Sequence, residues 1–177
     1  MEKCPNNFPE FIVIDFELSA YLAFKKATKS TIYFCMFHFG QCIWRKLQKL
    51  GLSGEYLKNT EFRFFIKCVS SLAFVPVDNV ETEYSKLLKK SQDFHDINMV
   101  QFFFYFEKNY LKGTKYPICS WNAYERVLKD IPLTSNSAEV FNRHFFAKFD
   151  QCHPGLGSFF EKLKMNQNHF ESDIEFS

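Results

Sequence analysis

Two acidic residues far apart in the chain, Asp15 and Glu139, could supply the carboxylates of a divalent-cation site. Asp15 follows an apolar run at 11–14, and Glu139 closes the segment TSNSAE at 134–139. Hard cations prefer oxygen ligands, and two of them about 4 Å apart support phosphoryl transfer, so the two carboxylates would have to converge. Because the chain has 20 acidic residues, an alternative remains open. Asp15 would then cap a helix, and Glu139 would be a solvated acid in a first helical turn.

Cys35 and His38 form a Cys-x-x-His pair, which is the second candidate. This spacing can supply half of a zinc site, but a four-ligand site needs a second pair. Cys152 and His153 are adjacent rather than spaced. The alternative is a buried cysteine and a hydrogen-bonded histidine where a strand meets a helix. We interpret Cys35 and His38 as a structural motif and do not expect zinc, although a structural zinc domain remains a third interpretation.

Three basic residues, Arg45, Lys46 and Lys49, lie along one predicted helix, with Trp44 beside them. Cations next to an aromatic ring suit contacts with a nucleic-acid backbone. The alternative is a solvated helix face. The formal net charge of +2 is too small to indicate nucleic-acid binding by itself.

A predicted β-α-β-α unit positions these residues. Strands are predicted at 11–14 and 31–34, and helices at 17–29 and 38–50, the second ending at Gly51. This order predicts parallel strands joined by a right-handed crossover, with the first strand buried on both faces. Asp15 would then lie at the carboxyl edge of the sheet, where ligands bind in α/β folds. The fold class is therefore predicted to be α/β.

Downstream of this unit the periodicity predicts only helices. They are expected at 59–74, 80–90, 96–111, 120–129, 137–149 and 153–165, with the aromatic stretch at 102–106 in the core and a frayed tail after residue 165.

Composition limits the class of protein. With 177 residues and 46% hydrophobic content, the chain can bury a substantial core. Its six cysteines are scattered through apolar segments, which favours free and mostly buried thiols in a reducing intracellular compartment, nuclear or cytoplasmic. Charged residues interrupt every long apolar run, so no membrane span is predicted.

The order of several short motifs resembles the Mutator-like (MULE) transposases, which are cut-and-paste DNA transposases. The similarity covers about 9–165, and its matching segments are IDFE at 14–17, CMFHFGQ at 35–41, RK at 45–46, GL at 51–52, LAFVP at 72–76, WN at 121–122 and TSNSAE at 134–139.

The resemblance implies a partial RNase H-like core with an open sheet at 1–56, a mostly helical insertion at 57–131, returning core helices at 132–165 and a frayed tail at 166–177. It implies that Asp15 and Glu139 are the second and third acids of an Asp-Asp-Glu triad, and that they bind Mg²⁺ or Mn²⁺. Cys35 and His38 would be the Cys-x-x-His element beside the last core strand. The implied partners are DNA at transposon ends and a possible second copy of the chain, with no membrane.

Two departures from the family bear on activity. No strand bearing the first acid of the triad precedes Asp15, and Val-Phe-Asn at 140–142 replaces the family's Gly, bulky residue and His. We therefore expect a fragment or domesticated remnant of such a transposase that is not competent in strand transfer by itself. The alternative is a non-catalytic DNA-binding or protein-interaction module.

Overall fold

The computed structural model describes residues 8–94, 96–112, 115–149 and 155–175. The chain divides into two units, Met1–Ser135 (unit 1) and Asn136–Ser177 (unit 2). Most of the described residues are helical, and unit 1 contains a small sheet of two parallel strands. The predicted α/β class is confirmed at this general level.

Unit 1 begins with the predicted β-α-β-α order. Strand β1 (Phe11–Ile14) is followed by helix α1 (Leu18–Ala27), strand β2 (Thr31–Phe34) and helix α2 (Met36–Lys49). The strands pair in parallel, with Phe11 opposite Thr31 and Ile14 opposite Phe34. The predicted parallel pairing is therefore confirmed.

The two strands differ in burial. Ile32 and Phe34 of β2 are buried, whereas every side chain of β1 is only partly buried. The prediction that β1 is buried on both faces was therefore wrong. Within the described residues β1 pairs only with β2, so its other edge lacks the neighbour that normally covers a parallel strand.

Helix α2 begins two residues earlier than predicted, at Met36 instead of His38. Its buried residues Phe39, Ile43 and Leu47 recur every fourth position, which lays one apolar stripe against the core. Gly51 follows with a positive φ of 73°, a conformation that glycine adopts without steric cost, and ends the helix as predicted.

The rest of unit 1 is helical. It contains α3 (Ser53–Lys58), α4 (Thr60–Ser71), α5 (Val80–Lys90), α6 (Ile97–Phe106) with a π-helical extension (Glu107–Leu111), α7 (Ile118–Trp121) and α8 (Tyr124–Leu128), with 3₁₀ turns at Leu72–Phe74, Val77–Asn79 and Ser91–Phe94. Asn59 and Asp96 cap α4 and α6, since the side chain of each accepts hydrogen bonds from backbone N–H groups of the helix that follows it.

Downstream of α2, two predicted helices of unit 1 had wrong bounds. The helix predicted at 59–74 ends at Ser71 and passes into a 3₁₀ turn. The helix predicted at 120–129 is two short helices, because Asn122 between them takes an extended conformation. Its side chain donates to the Val75 carbonyl at 2.8 Å and accepts from the Tyr124 N–H at 3.0 Å, which stabilises the break.

Aromatic side chains from the helical segment pack directly on α2. Trp121 is fully buried, stacks on Phe39 with ring centroids 5.2 Å apart, and donates to the Tyr110 carbonyl at 3.1 Å. Phe102, Phe103 and Phe106 are buried, so this part of the aromatic stretch lies in the core as predicted, although Phe104 is 65% exposed. The β-α-β-α segment and the following helices thus share one core.

Unit 2 contains α9 (Asn136–Phe146) and α10 (Leu156–Glu175). Phe145 is buried, and its ring meets that of Phe159 edge-on with centroids 5.6 Å apart. The helix predicted to end at residue 165 continues through Glu175, because no Gly or Pro interrupts the chain after Gly157. The predicted end of this helix at residue 165 was therefore wrong, and fraying of the tail stays a prediction.

The cysteines follow the prediction in part. Cys35, Cys42, Cys68 and Cys119 are free, but only Cys35 of these is buried, so the expectation of mostly buried thiols was wrong. Cys4 and Cys152 lie outside the described residues. In the part of the chain that the structure describes, no helix is long and apolar enough to cross a membrane.

We predict that Trp121→Ala lowers the free energy of unfolding by about 3–5 kcal/mol, because it removes the largest ring of the core and leaves a cavity. Urea denaturation followed by circular dichroism measures this change. The matched control is Phe104→Ala, which removes an exposed ring and is expected to change stability by less than about 0.5 kcal/mol. Equal losses in the two variants would contradict the packing described for Trp121.

Candidate functional site

The parallel register of β1 and β2 brings Asp15 and Cys35 to one edge of the sheet. Ile14 and Phe34 are paired, so the residues that follow them leave the sheet side by side. The Cys35 N–H donates to the Ile14 carbonyl at 2.7 Å, which extends the pairing past the end of β2. The side chain of Asp15 is 59% exposed, whereas Cys35 is fully buried.

His38 joins this edge from the first turn of α2. Cys35 precedes the helix in an extended conformation, and His38 lies three positions further, close to one helical turn. Its Nδ1 lies 2.9 Å from Asp15 Oδ1. This is an ion-pair distance without hydrogen-bond geometry, so the buried Nδ1 has no hydrogen-bond partner among the described residues.

Asp15, Cys35 and His38 thus form a cluster, which we call the edge cluster. One donor atom from each residue lies within 4.8 Å of the other two. Burial raises the pKa of the Cys35 thiol, but hydrogen bonds from the backbone and side chain of His38 and Ser135 outweigh it and leave the pKa below its ordinary value. Ser135 Oγ also donates to Asp15 Oδ1 at 3.4 Å. These contacts favour negative charge on the cluster.

Arg126 holds the segment that delivers Ser135. Its guanidinium is fully buried, donates to the Phe34 carbonyl at 2.9 Å and to the Pro132 carbonyl, and lies 4.8 Å from the centre of the Tyr33 ring. Burial lowers the pKa of Arg126. The Met36 N–H adds a bond of 2.8 Å to the Leu133 carbonyl. Arg126 therefore connects the end of β2 to residues 132–135.

Sequence reasoning missed the roles of Arg126 and Ser135. Arg126 is buried while its neighbours Val127 and Leu128 are 54% and 66% exposed, the reverse of what residue type predicts. No sequence signal identifies it. The contact of Ser135 with Asp15 spans 120 positions of the chain, so no local sequence pattern predicts it.

The structure describes the side chain of only one of the two predicted metal-binding acids, Asp15 and Glu139. Asp15 lies at the carboxyl edge of the sheet, as the sequence predicted. Glu139 lies in helix α9 of unit 2, and its side chain is outside the described residues. The convergence of Asp15 and Glu139 therefore stays a prediction.

The predicted basic face does not act as one surface. Arg45 and Lys49 are exposed, and Arg45 donates to Gln41 Oε1 at 3.0 Å. Lys46 lies on another side of the helix, with Nζ 5.0 Å from the centre of the Tyr105 ring. There it lines a groove, called the lysine groove, with Val100, Gln101, Phe104, Tyr105, Lys108, Asn109 and Lys115.

Comparisons of the chain with protein-family models, with curated proteins and with solved structures return no match.

We predict that Arg126→Met makes the Met36 amide exchange with solvent at least about tenfold faster, because residues 132–135 lose their tie to β2 and open more often. Hydrogen exchange resolved by residue measures this rate. The control is Arg45→Met, which removes an exposed guanidinium from α2 and should leave the Met36 amide unchanged. Full protection of this amide in the Arg126 variant would show that Arg126 does not hold the segment.

Proposed function

We propose that this chain is a part or remnant of a Mutator-like DNA transposase, with Asp15 and Glu139 as metal-binding carboxylates of an RNase H-like core. The observation that carries the proposal is the position of Asp15. It is an exposed carboxylate at the carboxyl end of a parallel strand, next to Cys35 and His38 of the Cys-x-x-His element. The resemblance of the motif order supports the same assignment.

The architecture of unit 1 is compatible with such a core. A parallel pair of strands is joined by a helical crossover, and helices α3 to α8 follow where the family has a helical insertion. The partly buried strand β1 has a neighbour on one side only among the described residues, so a larger sheet could continue there. We propose that it does so in the functional protein.

The Asp15 carboxylate is a suitable ligand for Mg²⁺ or Mn²⁺. This carboxylate is exposed, and hard cations prefer such oxygen ligands. A bound cation of this type polarises a phosphate and activates water or a 3′-hydroxyl. Ser135 donates to the Asp15 carboxylate and so restricts its orientation, and Glu139 would supply the second carboxylate. This assignment gives the chain two of the three acids of the triad, so we propose that the chain alone does not cleave DNA.

A nuclear or cytoplasmic location would follow from this function, since both the DNA and the transposase would be there. The four free cysteines in the described residues fit a reducing compartment. Assembly with a second copy of the chain also remains part of the proposal.

We predict Mg²⁺-dependent cleavage of terminal-inverted-repeat DNA when the chain is fused to an upstream transposase segment that carries the first acid. Asp15→Asn and Glu139→Gln should each reduce the cleavage rate by at least about 100-fold, since loss of one charge-stabilising group in an active site has that effect. A gel assay of the cut strand measures the rate.

The matched control for this assay is Glu10→Gln, which neutralises an exposed acid just before β1, at the opposite end of the sheet from Asp15. Its cleavage rate should equal that of the unmodified chain. Unchanged cleavage in the Asp15 or Glu139 variant would end the transposase assignment.

A second candidate function is non-catalytic binding of single-stranded nucleic acid, and the lysine groove favours it. Lys46, Lys108 and Lys115 line the groove beside Phe104 and Tyr105, and no acidic residue lines it. Ammonium groups neutralise phosphates, and exposed rings stack on unpaired bases. Such a groove would work without a divalent cation.

For this second function, Lys108→Met combined with Lys115→Met should weaken binding of a labelled single-stranded oligonucleotide and lower the salt dependence by about 0.7 per lysine in log–log slope. Fluorescence anisotropy at several salt concentrations measures both quantities. Lys89→Met with Lys90→Met removes two exposed charges from α5 and serves as the control. Equal effects of the two pairs would mean that the groove has no special role.

A further inference from the structure

The edge cluster contains three kinds of donor atom that can bind one metal ion together. Asp15 offers a carboxylate oxygen, Cys35 a sulfur and His38 an imidazole nitrogen, all within 4.8 Å of one another. From this geometry we propose that the three residues form a mononuclear site for a borderline divalent cation of the zinc type. This site goes beyond the proposed function, since it requires neither Glu139 nor DNA.

The donor set selects the class of cation. Zn²⁺ and Co²⁺ bind thiolate, imidazole and carboxylate together, whereas Mg²⁺ takes oxygen ligands. With bonds of about 2.0–2.3 Å, tetrahedral ligands lie roughly 3.4 Å apart. His38 Nδ1 and Asp15 Oδ1 lie 2.9 Å apart, and the three donor atoms all lie within 4.8 Å of one another, so the cluster approaches this spacing.

The surroundings of the donors also suit a cation. The buried Nδ1 of His38 lies 2.9 Å from Asp15 Oδ1 and makes no hydrogen bond of good geometry among the described residues, so one cation could bind both atoms. Cys35 and Asp15 supply two negative charges when the thiol is ionised, which balances a divalent ion. Ser135 donates to the Asp15 carboxylate, as outer groups around metal ligands commonly do.

The proposed site is open on one side. Three protein ligands leave a fourth position of a tetrahedral ion free, which is the arrangement of catalytic rather than structural zinc sites. Cys35 is fully buried and Asp15 is 59% exposed, so solvent reaches the cluster from the side of Asp15. Water or a phosphate oxygen could occupy it. Sequence reasoning named all three residues but assigned Asp15 to a different site, because Asp15 and Cys35 are 20 positions apart in the chain.

The test is a Co²⁺ titration of the complete chain, freed of metal and kept reduced. Binding at the edge cluster should give one equivalent of Co²⁺ with a thiolate-to-metal absorption band, and one equivalent of Zn²⁺ should abolish the band while millimolar Mg²⁺ leaves it unchanged. Cys35→Ser should remove the band. Asp15→Asn and His38→Gln should each weaken Co²⁺ binding by more than about 100-fold, the upper range for loss of an outer-shell partner.

Control variants test whether the absorption band comes from another thiol and whether its loss comes from misfolding. Cys119→Ser removes an exposed thiol. Cys152→Ser combined with His153→Gln removes a thiol and an imidazole that are adjacent in sequence. Both of these variants should keep the absorption band. Circular dichroism checks the fold of each variant, and Asp15→Asn changes a side chain that is 59% exposed. A missing band in the unmodified chain, or one that persists in Cys35→Ser, overturns the proposal, as does full affinity in Asp15→Asn.

This experiment is independent of the transposase assignment. Glu139→Gln should bind Co²⁺ as tightly as the unmodified chain, although it should abolish cleavage in the DNA assay. Failure of Co²⁺ binding with intact Mg²⁺-dependent cleavage would refute only the zinc-type site. Normal Co²⁺ binding with no cleavage would refute only the transposase function.

Discussion

The in-register parallel pairing of β1 and β2 is the constraint on which the candidate site depends. Because Ile14 lies opposite Phe34, Asp15 and Cys35 leave the sheet at the same edge, and the Cys35 N–H bonds the Ile14 carbonyl. A shift of one residue in this register would turn these side chains to opposite faces of the sheet. The position of His38 then follows from the start of α2 at Met36.

Arg126, a buried arginine near the C-terminal end of unit 1, also stabilises the sheet edge. Arg126 bonds the carbonyls of Phe34 and Pro132, so the end of β2 and the segment that carries Ser135 are held together. A buried cation is costly to desolvate, and here hydrogen bonds and the Tyr33 ring offset that cost. The helices that follow α2 therefore support the site through Arg126. They also belong to the core, where Trp121 stacks on Phe39.

Much of the fold was predictable because its signals are local. The short β-favouring runs, the apolar stripe of α2 and Gly51 identify the β-α-β-α order, and Asn59 and Asp96 act as caps as their residue types predict. The errors arose where tertiary contacts prevail over local pattern. Asn122 divides a predicted helix through a bond to Val75, 47 positions away, and the half-buried state of β1 depends on which strands lie beside it.

The site was predictable only where its residues are close in sequence. Cys35 and His38 were paired correctly because three residues make about one helical turn, and Asp15 was placed by its position after a strand. Long-range packing brings Asp15 close to Cys35 and His38, and no sequence periodicity predicts this approach. The same holds for the roles of Arg126 and Ser135, and for the groove that Lys46 lines with Lys108 and Lys115. We propose that the sheet edge gathers Asp15, Cys35 and His38 into one metal-binding centre. The sharpest test is a crystal of the chain grown with Zn²⁺, with anomalous difference maps recorded at the zinc edge. We expect one peak in contact with all three side chains. An Asp15 side chain directed away from Cys35 and His38, with no shared peak, would rule out this centre.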